Sequence, residues 1–280
     1  MDEKHSTLPA LPAGRSEPAA TDQTGTEEPS PPMEPEAPPE EETGHVLDGN
    51  YRKVYESEFH QFPVDMRLAA ARAVSGVALM ALCLDPEPKV IHAVLENALV
   101  GLDHARLIAA HHHNPAGLEA VAARSQFLRD GQVQRNLLRN HQATDGLLRK
   151  MLGSGTLLQL FKLTVSREIT ERAKRMSRET LRHKFAQGNG EECAGLIFTT
   201  EGRCLGTLIG MQFDSKTTAL LCRRTYNSTL LIQNLARFPG TPPAVVKHML
   251  MQPLVKRSPH LKQLLLKHSN CPTEVKKLLV

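Results

Sequence analysis

Apolar residues recur along this chain in a short helical register. A proline or threonine is followed by one apolar residue three positions on and another seven positions on. The pattern reads Pro88, Ile91, Leu95; Thr144, Leu147, Met151; Pro242, Val245, Met249; and Pro272, Val275, Leu279, with Pro115, Leu118, Ala122 as a weaker copy. Proline or a hydroxyl residue where a helix opens, then apolar side chains one and two turns along a single face, predicts a short amphipathic helix at each anchor. Successive anchors stand 27, 29, 98 and 30 residues apart, the long interval being close to three worn units.

The rest of the unit repeats too. An amide precedes a small turn at Asn97, Gln126 and Gln252. A second helix is then expected, with apolar pairs Leu107/Ile108, Leu137/Leu138 and Leu264/Leu265 and N-caps Asp103, Asp130 and Ser258. One such helix pair cannot bury its own apolar face, so repeats of about 29 residues must stack on one another. The predicted fold is all-α: a right-handed α-solenoid of short helix pairs. Good repeats are expected over 85–152 and 226–280, and degenerate ones over 153–225. Asp85 to Pro88, His113 to Pro115 and Asn270 to Pro272 carry a resemblance to HEAT-type repeats, and more closely to the leucine-rich-repeat-variant arrays of bacteria. The resemblance spans residues 85–152 and 226–280 and implies a fold class. The iron–sulfur centre of some variant members has no matching cysteine cluster here, so no cofactor is carried over.

Two segments depart from the repeat. Ser166 to Gln187 predicts one long helix, capped by Ser166 and stopped by Gly188 to Gly190. Leu196–Phe198 and Leu205–Ile209 flank a Thr/Gly turn, readable as a hairpin or as two short helices, with helices favoured in this setting. Residues 51–84 are expected to cap the array. Tyr51, Tyr55, Phe59 and Phe62, spaced four, four and three apart, form an aromatic stripe that either closes the core or serves as a docking helix.

Composition changes the picture most at the N-terminus. Residues 1–50 hold nine of the nineteen prolines and no aromatic residue, and carry twelve acidic against two basic side chains. So little apolar surface cannot offset chain entropy, and a disordered acidic Pro/Glu-rich tail is expected there. The remaining 230 residues then carry 32 Lys/Arg against 18 Asp/Glu, an excess of 14 hidden beneath the overall +4. No secretory signal and no apolar span long enough for a membrane are apparent. Five scattered cysteines without a C-x-x-C point to free thiols in a reducing cytoplasm.

The charge concentrates at Lys162, Arg167, Arg172, Lys174, Arg175, Arg178, Arg182 and Lys184, joined by Arg223 and Arg224. Arg167, Lys174 and Arg178 are expected to share one helix face, and Arg175 and Arg182 another. This basic surface points to an acidic protein partner, the chain's own acidic tail being one candidate occupant, with nucleic acid as the alternative. Gly210 to Thr217 fits a phosphate-loop spacing except that Ser215 replaces the second glycine; the competing reading is an Asp214 or Ser215 N-cap. His111, His112 and His113 cannot chelate together from consecutive helical positions. They and His104, His141 and His268 are expected at helix C-termini rather than around a metal. No catalytic constellation emerges, and the expected function is that of a non-enzymatic interaction scaffold.

Overall fold

The computed structural model describes residues 50–279. The expected tail, residues 1–50, lies outside the described residues apart from Asn50, and so does the proposal that it covers the basic surface. Every regular element among the described residues is helical and none is a strand. Helical backbone from residue 50 leads into a π-helical turn, α1 (Tyr55–Phe59), followed by α2 (Val64–Ala73), α3 (Gly76–Leu82), α4 (Pro88–Glu96), α5 (Leu102–His111) and α6 (Pro115–Ala123). Next come α7 (Ser125–Leu128), α8 (Gly131–Arg139), α9 (Asp145–Gly153), α10 (Leu157–Val165), α11 (Glu171–Gln187) and α12 (Gly190–Thr199). A 3-10 turn at Arg203–Leu208 precedes α13 (Ser215–Arg223), α14 (Thr229–Arg237), α15 (Pro243–Leu250), α16 (Pro253–Arg257), α17 (Pro259–Leu266) and α18 (Thr273–Leu279).

The expected anchors open helices. Pro88 and Pro115 sit at the first helical position, where a missing N–H costs nothing, while Thr144 and Pro242 are N-caps. Asp130 caps α8 by accepting from the amides of Gln132 (3.1 Å) and Val133 (2.9 Å). The Arg106 guanidinium, bonded to the same carboxylate at 2.8 and 3.1 Å, holds its pKa down at about 2.

Two expected caps are corrected. Asp103 lies inside the first turn of α5, whose N-cap is Gly101. Ser166 closes α10 instead of opening the long helix; Thr170 caps α11, accepting from Ala173 N at 3.2 Å. The cause is tertiary: Ile169 is buried, and Thr170 N donates to Leu138 O at 3.2 Å, which turns 166–170 out of helix. Residues 195–209 take the helical alternative, as the end of α12 and the 3-10 turn.

Helices one, two and three positions apart in the chain pack side by side. α4 lies between α2 and α6, α13 between α12 and α15, while α5 packs along α8, α10 along α11, and α14 along α17. Their inner faces merge into one core containing Leu82, Ile91, Ile108, Leu118, Leu137, Leu160, Leu181 and Ile197, all fully buried. Each such side chain contributes roughly 1.5–3 kcal/mol on leaving water.

A polar device also recurs across the packing. Asn97 Nδ2 donates to the carbonyls of Ala71 (2.9 Å) and Val74 (3.0 Å), tying the end of α4 to the end of α2. Asn140 does the same to Ala109 and His112 (both 3.0 Å), and Asn270 to Pro239 (3.0 Å) and Thr241 (2.9 Å). The free carbonyls at a helix end are thus satisfied by an amide 23 to 31 residues later. Asn140→Ala, which orphans two carbonyls, should lower unfolding free energy by about 2 kcal/mol. Urea denaturation would read this as a lower midpoint at unchanged slope.

The N-terminal aromatics divide. Tyr55 and Phe59 are buried against the core, as a closing helix requires, whereas Tyr51 is half-buried and Phe62 is 42% exposed. Beneath α1, Arg67 Nη1 donates both to Tyr55 Oη (2.8 Å) and to the fully buried Asp85 carboxylate. Asp85 also accepts from Glu87 N at 2.8 Å. Burial raises its pKa despite these donors.

Candidate interaction surface

The ten basic residues singled out in the sequence fall into two groups. Five are engaged within the fold. Arg172 Nε donates to Asp145 Oδ1 at 2.6 Å, and Lys174 Nζ to Glu171 Oε1 at 2.6 Å. Arg182 Nη1 spans to the carbonyls of Thr207 (3.0 Å) and Ile209 (2.9 Å), pinning the 3-10 turn to α11. Lys184 Nζ donates to Gly155 O at 2.7 Å, and the Arg224 guanidinium sits 4.7 Å over the Phe198 ring. The other five, Lys162, Arg167, Arg175, Arg178 and Arg223, are exposed and make no direct hydrogen bond or ion pair among the described residues. Arg175 and Arg178 still help to lower the carboxyl pKa values of Asp145 and Glu171, in each case behind a nearer bonded cation, Arg172 and Lys174.

Helix geometry decides which cations act together. Arg167 lies in the 166–170 connection, so it cannot share a face of α11 with Lys174 and Arg178, as the helix expected from Ser166 would have required. Lys174 is half-buried in its ion pair. The free charge on α11 is therefore Arg175 and Arg178, three positions apart and both directed to solvent.

Around Lys162 and Lys184 the surface is concave. A depression of about 610 Å³ is lined by the start of α10 (Thr156, Leu157, Leu158), Lys184, and the Glu192, Gly195, Thr199 face of α12. A second, of about 440 Å³, runs between α8 and α10 over Met151 and Leu152; it meets the first at Ser154 and Gly155. A third, of about 230 Å³, continues the second toward Leu128 and Arg129, sharing Gln134, Met151 and Ser154 with it. Arg129, Arg135, Lys162 and Lys184 line these hollows against a single carboxylate, Glu192. Arg129 and Arg135 escaped the sequence reading because neither belongs to a run of charge. The signal available was Arg135 alone, at a position of α8 opposite the apolar Val133/Leu137 face.

The phosphate-loop spacing resolves into a capped helix start. Asp214 is the N-cap of α13 and accepts from Thr217 N at 2.9 Å. Lys216 Nζ is directed away, to Asn189 Oδ1 at 3.1 Å and Glu191 Oε1 at 3.2 Å. A carboxylate thus occupies the amides a phosphate would need, and the lysine is already paired.

The histidines are dispersed. His111 ends α5, His112 is its C-cap and His141 follows α8, whereas His104 sits at the opposite end of α5, where its Nδ1 accepts from Gly101 N at 3.1 Å. His268 donates from Nε2 to Phe238 O (2.9 Å) and accepts at Nδ1 from Asn270 N (3.0 Å), which fixes its neutral tautomer. Burial lowers the pKa values of His104 and His112, which favours the neutral ring at both positions. Among the described residues no three His, Cys, Asp or Glu side chains are placed to hold a metal ion.

All five cysteines are free, and burial raises the thiol pKa of Cys193 and of Cys204 to about 11, far from the thiolate a nucleophile needs. No helix among the described residues is long and apolar enough to cross a membrane. No protein-family model, no curated protein and no solved structure matches the chain.

Proposed function

We propose that this chain is a non-enzymatic interaction scaffold, a right-handed α-solenoid of HEAT-like or leucine-rich-repeat-variant-like helix pairs that binds an acidic protein through an electropositive surface. The asparagine contacts support the repeat arrangement, because one side chain–carbonyl contact recurs between segments 23 to 29 residues apart. The observation that carries the function is the exposed positive charge of Lys162, Arg167, Arg175, Arg178 and Arg223, which no direct hydrogen bond or ion pair among the described residues neutralises. A solvated basic face needs no such concavity beside it; a binding face gains by one. The paired Lys216 and the capping Asp214 weigh against nucleotide binding.

Charge reversal tests the reading. Arg175→Glu with Arg178→Glu should weaken binding of labelled poly-glutamate at least tenfold at low salt, with the melting temperature unchanged because both side chains are exposed. Unchanged affinity would remove the basic surface from the mechanism. Duplex DNA binding below micromolar near physiological salt, with a log–log salt slope of about −0.9 per phosphate contacted, would move the reading to nucleic acid.

A further inference from the structure

The helices that precede and follow the second hollow pack closely with other neighbours, α8 along α5 and α10 along α11, but α8 and α10 are not packed along each other. Their separation opens the hollow of about 440 Å³ and its extension of about 230 Å³. Its walls carry the apolar side chains Leu138 from α8, Met151 and Leu152 from α9, and Leu160 and Leu163 from α10, with Gln134, Ser154 and Gln159 between them. Its rims are basic, with Arg135 on one side, Lys162 on the other and Arg129 at the far end, and no Asp or Glu lines either part. Arg135 touches only Gln132 Oε1, a neutral acceptor, at 2.6 and 3.1 Å, while Lys162 and Arg129 bond nothing among the described residues. A cleft between two helices, apolar below and cationic on both edges, complements a segment with aliphatic side chains on one face and carboxylates on the other.

We infer that the cleft between α8 and α10 seats an acidic amphipathic segment of a partner protein, its aliphatic side chains over Met151 and Leu163 and its carboxylates against Arg135 and Lys162. The inference rests on the scaffold reading and gives that scaffold a specific seat. Nucleic acid is the poorer occupant, because no aromatic ring lines the cleft to stack a base, while the leucine walls would lie unused against a phosphate backbone. A purely electrostatic partner is poorer for the same reason. The second hollow is within the range of sites that enclose a few side chains, so two or three aliphatic anchors fit the space.

The test uses the full chain and a labelled synthetic peptide of glutamates and alanines with leucines at i, i+3 and i+7. A control peptide carries serine at the three leucine positions. Fluorescence anisotropy should find the control at least tenfold weaker, which poly-anion attraction alone would not produce. Arg135→Glu with Lys162→Glu, both exposed, should weaken the leucine peptide at least tenfold, and Ser154→Trp, which fills the floor where the hollows meet, should do the same. A diazirine-bearing leucine should crosslink within residues 125–163. Equal affinity for both peptides, indifference to Ser154→Trp and to the paired reversal, or crosslinks confined to α11 would overturn the cleft; if Arg175→Glu/Arg178→Glu still abolished binding, the scaffold reading would stand without it. Displacement of the peptide by equimolar single-stranded DNA would overturn the assignment to protein. Absence of binding by either peptide and by poly-glutamate would remove both readings.

Discussion

Arg67→Met should cost the fold about 3–5 kcal/mol, the largest effect expected of any single substitution outside the hydrophobic core. Arg67 is the cation that faces Asp85, a carboxylate with no exposed surface, and it also donates to Tyr55 Oη at 2.8 Å. Methionine replaces the stem but not the charge, so the loss is that of the partner rather than of packing. The remaining donors to Asp85 are the amide of Glu87 at 2.8 Å and the Tyr55 hydroxyl, too little to hold an ionised carboxylate out of water. α1 loses its polar tether to α2 in the same step, leaving Tyr55 its hydroxyl contact with Asp85 and Phe59 its apolar contacts.

The pH dependence separates this cause from simple loss of packing. Burial already raises the Asp85 pKa with Arg67 present, and removing the cation must raise it further. A carboxyl whose folded pKa exceeds its unfolded value binds more protons when folded, so between the two values stability falls as pH rises. The deficit of Arg67→Met should therefore shrink toward pH 4, where the unpaired Asp85 is protonated, and be largest near neutrality. Chemical denaturation at pH 4.5 and 7 reads it directly; an equal deficit at both would assign the loss to packing. Asp85→Asn added to Arg67→Met should flatten the profile and recover part of the stability, because the buried charge is gone.

The helix-starting positions of this chain are local chemistry, and they were readable. Pro88, Pro115 and Thr144 open helices because a fixed φ or a capping hydroxyl acts within three residues, and the following apolar pair states which face turns inward. Tyr55 and Phe59 were equally readable as one face, although only packing decides that this face closes the core. What stayed hidden depends on meetings across 25 to 30 residues. Nothing in the basic run 162–184 marks Arg182 and Lys184 as structural: their acceptors are backbone carbonyls of Thr207, Ile209 and Gly155, which have no side-chain signature. The amide at Asn97 was visible as a repeated residue, but its bond to the Ala71 and Val74 carbonyls was not, and Asn140, in the same role, went unmarked. Ser166 and Thr170 are two plausible caps four residues apart, and the choice between them was made by Ile169 finding the core. The candidate cleft was hidden for the same reason, since it exists where α8 and α10 fail to pack.

Gly117→Ala should destabilise the fold by about 3 kcal/mol, against the direction that helix propensity alone would give. Gly117 lies in the first turn of α6, and replacing glycine in a helix ordinarily gains up to about 1 kcal/mol. Here a methyl group would stand 2.1 Å from His112 Nε2 and 2.3 Å from its Cδ2, well inside contact distance. Those atoms are not the free end of a flexible side chain. The His112 ring is only 2% exposed, it caps α5, and its backbone carbonyl accepts from Asn140. Moving it disturbs α5, α6 and the asparagine contact together, and overpacking of this depth costs 1–3 kcal/mol or more. Both ring nitrogens are buried, with the Asp85 backbone as the polar group acting on the ring, so the glycine preserves a close fit around it. A double-mutant cycle isolates the cause. His112→Ala removes the obstructing ring and is itself destabilising through the cavity it leaves, but Gly117→Ala placed on that background should cost almost nothing and can gain its helix propensity. Thermal unfolding of the four proteins gives the coupling energy. A value near zero would mean that the ring yields freely, and that His112 is not wedged between α5 and α6.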